Sequence, residues 1–248
     1  AITKLSDIHF VSTKRSKDFV IKMGENKNSV HNTGCPSLDI INFKKLMKIK
    51  SPELNFIKKK FIHKKYIVVV QHPVTNEIKE TKNHINSTLK AVVNICRQMQ
   101  VSAAWLWPNV DAGTDIISKK LRIFQNLNKD NEKIIFIKNL SPEDYLSLIQ
   151  NSKCIVGNSS SGIREASYLG IPSVNIGSRQ IYRETAKNVI NTEHNYDKIY
   201  KAIKFQINKG KYKKSTLYGS GKAAKKIFRI VKNIKTINNK KKINYIKY

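Results

Sequence analysis

The stretch K-C-I-V-G-N-S-S-S-G-I-R-E-A-S-Y-L-G-I-P-S-V-N-I (Lys153–Ile176) decides the fold. It passes from a short apolar run through small polar residues into a segment of helical period, then into a second strand-like run. The same alternation recurs upstream. Y-I-V-V-V-Q (Tyr66–Gln71) precedes a helix expected over Glu77–Gln100, and A-A-W-L-W (Ala103–Trp107) precedes one near Thr114–Leu127. K-I-I-F-I (Lys133–Ile137) precedes a short helix opening at S-P-E-D-Y, where Ser141 suits an N-cap and Pro142 the first helical position. After I-P-S-V-N-I a further loop and helix are expected. Strands alternating with helices imply a parallel sheet covered on both faces, a doubly wound α/β domain.

Nearer the start, D-I-H-F-V-S-T reads as a strand, Lys14–Met23 as a helix and S-V-H-N-T-G-C-P as a second short strand ending in a turn. That is too little to close a core, so residues 1–36 read as the remnant of another Rossmann-like domain. Residues 37–235 read as the main domain and 236–248 as a lysine-rich, frayed tail. The chain opens on A-I-T-K-L-S with no initiator methionine, and is expected to be cut from something longer.

Its 248 residues carry a formal net charge of +30, which invites a nucleic-acid-binding reading. Only seven of the cations are arginine, and the lysines are spread along the chain with asparagine and isoleucine. Arginine is the better reader of bases and phosphates, so a solvated lysine surface is the preferred account and a nucleic-acid module the alternative. Cys35, Cys96 and Cys154 are odd in number and far apart, which indicates neither a disulfide framework nor a zinc site and fits a reducing cytoplasm. No run is long enough to span a membrane.

In an open parallel sheet the ligand sits beyond the carboxyl ends of the strands. Those ends deliver His72, then Asn109 with Asp111, then Gly157-Asn158-Ser159-Ser160-Ser161-Gly162, then Arg179, a set suited to an anionic, hydroxylated ligand. A small-residue turn at a helix N-terminus can hold phosphate with backbone N–H groups. Ser161 is expected to cap that helix, Gly162 to be its first residue, and Glu165 to be free to accept from a ribose diol. Each position also has a plain structural reading: the serines as caps, Asn109-x-Asp111 as an Asx turn, Arg179 as a surface partner of Glu184.

Q-H-P-V-T (Gln71–Thr75), P-N-V-D-A-G-T-D (Pro108–Asp115) and V-G-N-S-S-S-G-I-R-E-A-S-Y-L-G-I-P-S-V-N-I-G-S-R-Q (Val156–Gln180) resemble the UDP-N-acetylglucosamine 2-epimerases. R-E-T-A-K-N-V-I (Arg183–Ile190), L-Y-G-S-G-K-A-A-K-K-I (Leu217–Ile227) and A-I-T-K-L-S-D-I-H-F at the start extend the likeness to about residue 235. The resemblance implies a glycosyltransferase-B-type fold, two Rossmann-like domains with a UDP-sugar between them. His72-Pro73-Val74-Thr75 and Ser-Gly-Ile-Arg-Glu are closer to the hydrolysing branch, which releases UDP and an N-acetylmannosamine-type sugar for sialic-acid-like pathways. A non-hydrolysing epimerase and a glycosyltransferase of the same fold are the alternatives. By resemblance Ser159, Ser160, Ser161 and Gly162 hold the diphosphate, with His72 and Arg179 against it. Glu165 holds the ribose, and Asn109 approaches the uridine or sugar. Tyr182 departs from the family, where a small residue is common. The acid and base of catalysis are expected in an N-terminal domain preceding Ala1, leaving this segment inactive alone. The likeness also implies a homo-oligomer at full length; no organic cofactor or metal is called for.

Overall fold

The computed structural model describes residues 1–41, 51–61, 65–128, 133–234 and 241. Two compact units divide the chain, Ala1–Asn42 with Thr216–Tyr248 and, between them, Phe43–Ser215. The sequence boundary after residue 36 lies close to this one. The later stretch from Thr216, however, joins the first unit instead of continuing the second. Most of the tail 236–248 lies outside the described residues.

In the first unit α1 (Ile2–Leu5) leads to β1 (His9–Val11), α2 (Lys14–Lys22) and β2 (Val30–Asn32). β1 and β2 pair in parallel, His9 opposite Val30, and Thr13 caps α2 by accepting from Ser16 N–H at 3.1 Å. The Asp39 carboxylate accepts from the N–H groups of Ala223 and Ala224 at 2.9 and 2.6 Å, so it caps helix Ala223–Lys232 from a distant part of the chain.

Glu25 is the hub of a buried ion network in this unit. Its carboxylate, 3 % exposed, meets Lys4 at 3.3 Å, His9 at 3.1 Å and Lys241 at 2.7 Å. Burial alone would raise its pKa, but the hydrogen bonds from Lys241, Lys4 and His9 outweigh it and bring the group down to about 2. A carboxylate held below its unfolded value stabilises the fold above that value and loses the contribution as pH falls through the folded one. Glu25→Gln is therefore predicted to cost about 1–3 kcal/mol at neutral pH. The gap from the native chain should close between pH 4.5 and about 2, read by urea denaturation at several pH values.

The second unit is built on a six-stranded, wholly parallel sheet in the order β5-β4-β3-β6-β7-β8. Its elements are α3 (Pro52–Lys59), β3 (Tyr66–Val70), α4 (Thr81–Gln98), β4 (Ser102–Leu106), α5 (Thr114–Leu127) and β5 (Ile134–Ile137). They continue with α6 (Pro142–Gln150), β6 (Ile155–Gly157), α7 (Glu165–Leu169), β7 (Ser173–Ile176), β8 (Val189–Thr192) and α8 (Tyr196–Lys209). The α/β class expected from the sequence is the one found. All five β3 residues are buried, as a central strand covered on both faces requires. Ile85, Leu89, Val92 and Ile95 of α4 bury a stripe at helical spacing in the same core as Ile199 and Ile203 of α8.

Two elements differ from the sequence reading. Thr75–Glu80 forms a 3-10 turn, kinked at Glu77, and the α-helix starts only at Thr81. None of those six residues is fully buried, so they add nothing to the apolar stripe that begins at Thr81. Strand β8 carries no sequence signal of its own. V-I-N-T is short, and as a half-exposed edge strand paired only with β7 it needs no apolar run.

The chain winds outward from β3 to β5, crosses back through α6, and winds outward again from β6 to β8. The order reverses between β3 and β6, which is where an open α/β sheet binds its ligand.

Candidate functional site at the sheet switch point

Asn158, directly after β6, joins the two central strands. Its Oδ1 accepts from His72 N–H at 2.7 Å and its amide donates to the His72 carbonyl at 2.8 Å. Its own carbonyl accepts from Gln180 Nε2 at 3.0 Å and from Arg179 at 3.3 Å, drawing in the loop after β7. Arg179 also meets Asp111 at 3.6 Å, so it pairs with the loop after β4. Three strand ends and their loops are thus tied to one buried asparagine.

His72, 5 % exposed, accepts from Asn109 N–H on Nδ1 at 3.2 Å. Its remaining proton must then sit on Nε2, which leaves one donor for a ligand. Burial, reinforced by the Arg179 charge and only partly offset by Asp111, lowers its pKa to about 4, so the ring is neutral at physiological pH. Asn109 enters the site through its main chain, its carbonyl accepting from Thr114 Oγ1 at 2.6 Å at the start of α5.

The serine turn departs from the expected cap. Ser159, not Ser161, is the N-cap, and Ser160–Gly162 form one 3-10 turn before α7 begins at Glu165. Gly162 is therefore not a first helical residue. Consecutive serines satisfy their neighbours locally: the Gly162, Ile163 and Arg164 N–H groups bond back to Ser159 and Ser160 carbonyls. Among the described residues the amides of Ser159 and Ser160 take no protein partner. Ser160 Oγ accepts from Arg164 at 2.9 Å.

Ser161 and Gly162 point inward. The Ser161 hydroxyl lies 2.5 Å from Tyr145 Oη and 2.8 Å from Ser159 Oγ. A Cβ at Gly162 would come within 2.8 Å of Ser173 Oγ.

Glu165 is 7 % exposed. One carboxylate oxygen lies 3.7 Å from Arg164, and Oε2 is buried with no hydrogen-bond partner. Gln71 Oε1 at the end of β3 and Gln180 Oε1 after β7 are also buried and unpartnered. Orphaned acceptors of this kind cost about 1–3 kcal/mol each. Gathered around one sheet edge, they suit a ligand that brings hydroxyl or N–H donors. Tyr182 is 84 % exposed, so its bulk displaces nothing in the loop.

The eight residues singled out in the sequence are distributed over the strand ends as described. No sequence signal singles out Asn158, Gln180 or Tyr145 as structural, although each lies inside or beside a quoted motif. What hid them is that their partners are main-chain groups or hydroxyls far away in sequence.

A cavity of about 850 Å³ lies beside this edge, lined among others by Glu77, His84, Ser178 and His194. It includes none of the eight residues. His84 and His194 stack with ring centroids 3.6 Å apart. Burial, then the neighbouring His84, lowers His194 to about 4 against the opposing pull of Glu77.

Among the described residues no helix is long and apolar enough to cross a membrane. Cys35, Cys96 and Cys154 are all buried, and none of them forms a disulfide.

A family profile described as UDP-N-acetylglucosamine 2-epimerase matches residues 1–232. The chain is 32 % identical over 237 residues to a UDP-N,N'-diacetylbacillosamine 2-epimerase (hydrolyzing) of Legionella pneumophila, covering 94 % of this chain and 59 % of that protein. It is 31 % identical over 223 residues to a UDP-N-acetylglucosamine 2-epimerase of Neisseria meningitidis, covering 89 % and 55 %. The fold resembles that of a Methanocaldococcus jannaschii UDP-GlcNAc 2-epimerase solved with UDP-GlcNAc and UDP, with TM-score 0.71 and 19 % identity over 92 % of this chain and 61 % of that one. The chain thus spans a little over half the length of these curated relatives. With a profile match over nearly its whole length and a parallel sheet of the corresponding fold, the chain belongs to the UDP-N-acetylglucosamine 2-epimerase family.

Proposed function

We propose that this chain carries the UDP-holding part of a hydrolysing 2-epimerase, which converts UDP-N-acetylglucosamine or a related UDP-sugar to UDP and an N-acetylmannosamine-type sugar. The observation that carries the reading is the buried, unpartnered Glu165 Oε2 at the end of the serine turn, beside the β3/β6 switch point. Glu165 accepts from the ribose diol, two adjacent hydroxyls against two carboxylate oxygens. The Ser159 and Ser160 amides and hydroxyls, His72 Nε2–H and Arg179 donate to the diphosphate, while Ser161 and Gly162 shape the turn. Asn109 holds the His72 tautomer and lies toward the uridine or sugar.

Arg179 supplies the positive charge. The neutral His72 adds a donor without a second cation that would have to be desolvated. Elimination of UDP and addition of water require an acid and a base to move the C2 proton, and we assign that work to no residue of this chain. The hydrolysing outcome rests on H-P-V-T and S-G-I-R-E and on the name of the Legionella relative. We further infer a reducing cytoplasm, from three buried cysteines that form no disulfide, and a homo-oligomer for the whole protein.

Calorimetric titration of this chain at physiological salt tests the proposal. UDP should bind at one site, and at least about tenfold more tightly than UMP, because the second phosphate adds charge-assisted hydrogen bonds. Equal affinity for UMP, or tight binding of duplex DNA with none of UDP, would overturn it in favour of another ligand or of the lysine surface.

A further inference from the structure

We propose that Glu77, His84 and His194 form a binding site for one divalent transition-metal ion of the zinc class, opening onto the 850 Å³ cavity that they help to line. The site is separate from the UDP grip, and neither proposal depends on the other. One ligand atom from each of the three residues lies within 4.8 Å of the other two, the one such histidine, cysteine and carboxylate cluster among the described residues. Two imidazole nitrogens and one carboxylate oxygen are a donor set that holds zinc while leaving a fourth position free. All three residues line the cavity, from which water or an oxygen ligand can reach such a position.

Three independent features support a ligand at this place. Both ring nitrogens of His194 are buried with no hydrogen-bond partner, although a neutral imidazole normally satisfies one donor and one acceptor. Glu77 already has the outer support of a ligating carboxylate: its Oε1 accepts from the Ser178 hydroxyl, and its Oε2 lies 3.9 Å from His84 Nε2. His194 sits directly over the main chain of Gly177, where a Cβ would fall 2.1 Å from Nε2 and φ is +75°. The glycine makes room for the ring at the cavity wall.

In the stacked arrangement the imidazole planes differ by 9°, so the two rings cannot both direct an in-plane lone pair at one ion. Binding must turn one ring out of the stack and draw the three donors to about 3.3 Å apart, the spacing of tetrahedral ligands at about 2.0–2.1 Å. No motif announced this set, because Glu77 and His84 flank the start of α4 while His194 arrives from the end of β8.

The chelator-treated chain should bind one equivalent of Zn²⁺ by calorimetry, and Co²⁺ should give the visible absorption of a low-coordinate site. His84→Gln and His194→Gln should each weaken Zn²⁺ binding by at least about tenfold. Absence of saturable binding, or a smaller loss in either variant, overturns the site. Should a variant fail to fold by circular dichroism, the native chain decides through imidazole ¹⁵N shifts. Zn²⁺ must move the His84 and His194 signals, and a response confined to other histidines refutes the assignment.

Discussion

Gly157→Ala should leave the second unit largely unfolded. Gly157 ends β6 at φ +128°, and a Cβ there would lie 2.0 Å from the Val70 carbonyl oxygen and 2.6 Å from its carbon. Both contacts are with the main chain of the paired central strand, so no side chain can move aside, and relief requires β3 and β6 to part. An unfavourable backbone together with a main-chain collision belongs to the group of changes that cost more than about 4 kcal/mol. Gly210→Ala is the comparison: φ there is +73°, and nothing lies within 4 Å of the added carbon. It should cost only the backbone strain, roughly 1–3 kcal/mol. Urea midpoints of the two variants measure the difference. A Gly157→Ala chain as stable as Gly210→Ala would mean that the strand junction is not as close as described. The same close approach lets Asn158 reach His72, so any Gly157→Ala chain that remains folded should also lose UDP.

Glu165→Gln separates stability from binding. The native carboxylate is buried, with one oxygen unpartnered and the other 3.7 Å from Arg164. Removing its charge should leave the fold as stable as before or more so, since an ionised group without full compensation is costly to bury. UDP affinity should nevertheless fall by roughly 10- to 150-fold, corresponding to about 1.5–3 kcal/mol for hydrogen bonds to a charged acceptor. A residue kept only to complement a helix end would show the opposite pattern, lower stability and unchanged affinity.

The sheet was legible because its strands carry the signal themselves. Y-I-V-V-V is buried over its whole length, and Ser141 with Pro142 marked the start of α6, where Ser141 caps by accepting from Asp144 N–H at 3.1 Å. β8 was not legible, being an edge strand whose half-exposed residues need not be apolar. At the site, residue types at strand ends indicated where to look, since topology alone brings those ends together. The fine geometry of the turn was beyond pattern reading. Ser159 caps the turn, while the Ser161 hydroxyl meets Tyr145, a residue supplied by the helix before β6. Glu25 and Asp39 are an ion-network hub and a remote helix cap, roles that no local motif signals because their partners lie far away in the chain.

The central claim is that Glu165 holds the ribose of UDP at the switch point. A cycle pairing the residue with the ligand tests it most directly: calorimetric affinities of the native chain and of Glu165→Gln for UDP and for 2′,3′-dideoxy-UDP. Deleting the diol should cost the native chain about tenfold or more and the variant several-fold less, because the amide keeps only one accepting oxygen and no charge. Equal losses in both chains, or no loss in the native one, would place the ribose elsewhere and contradict the account.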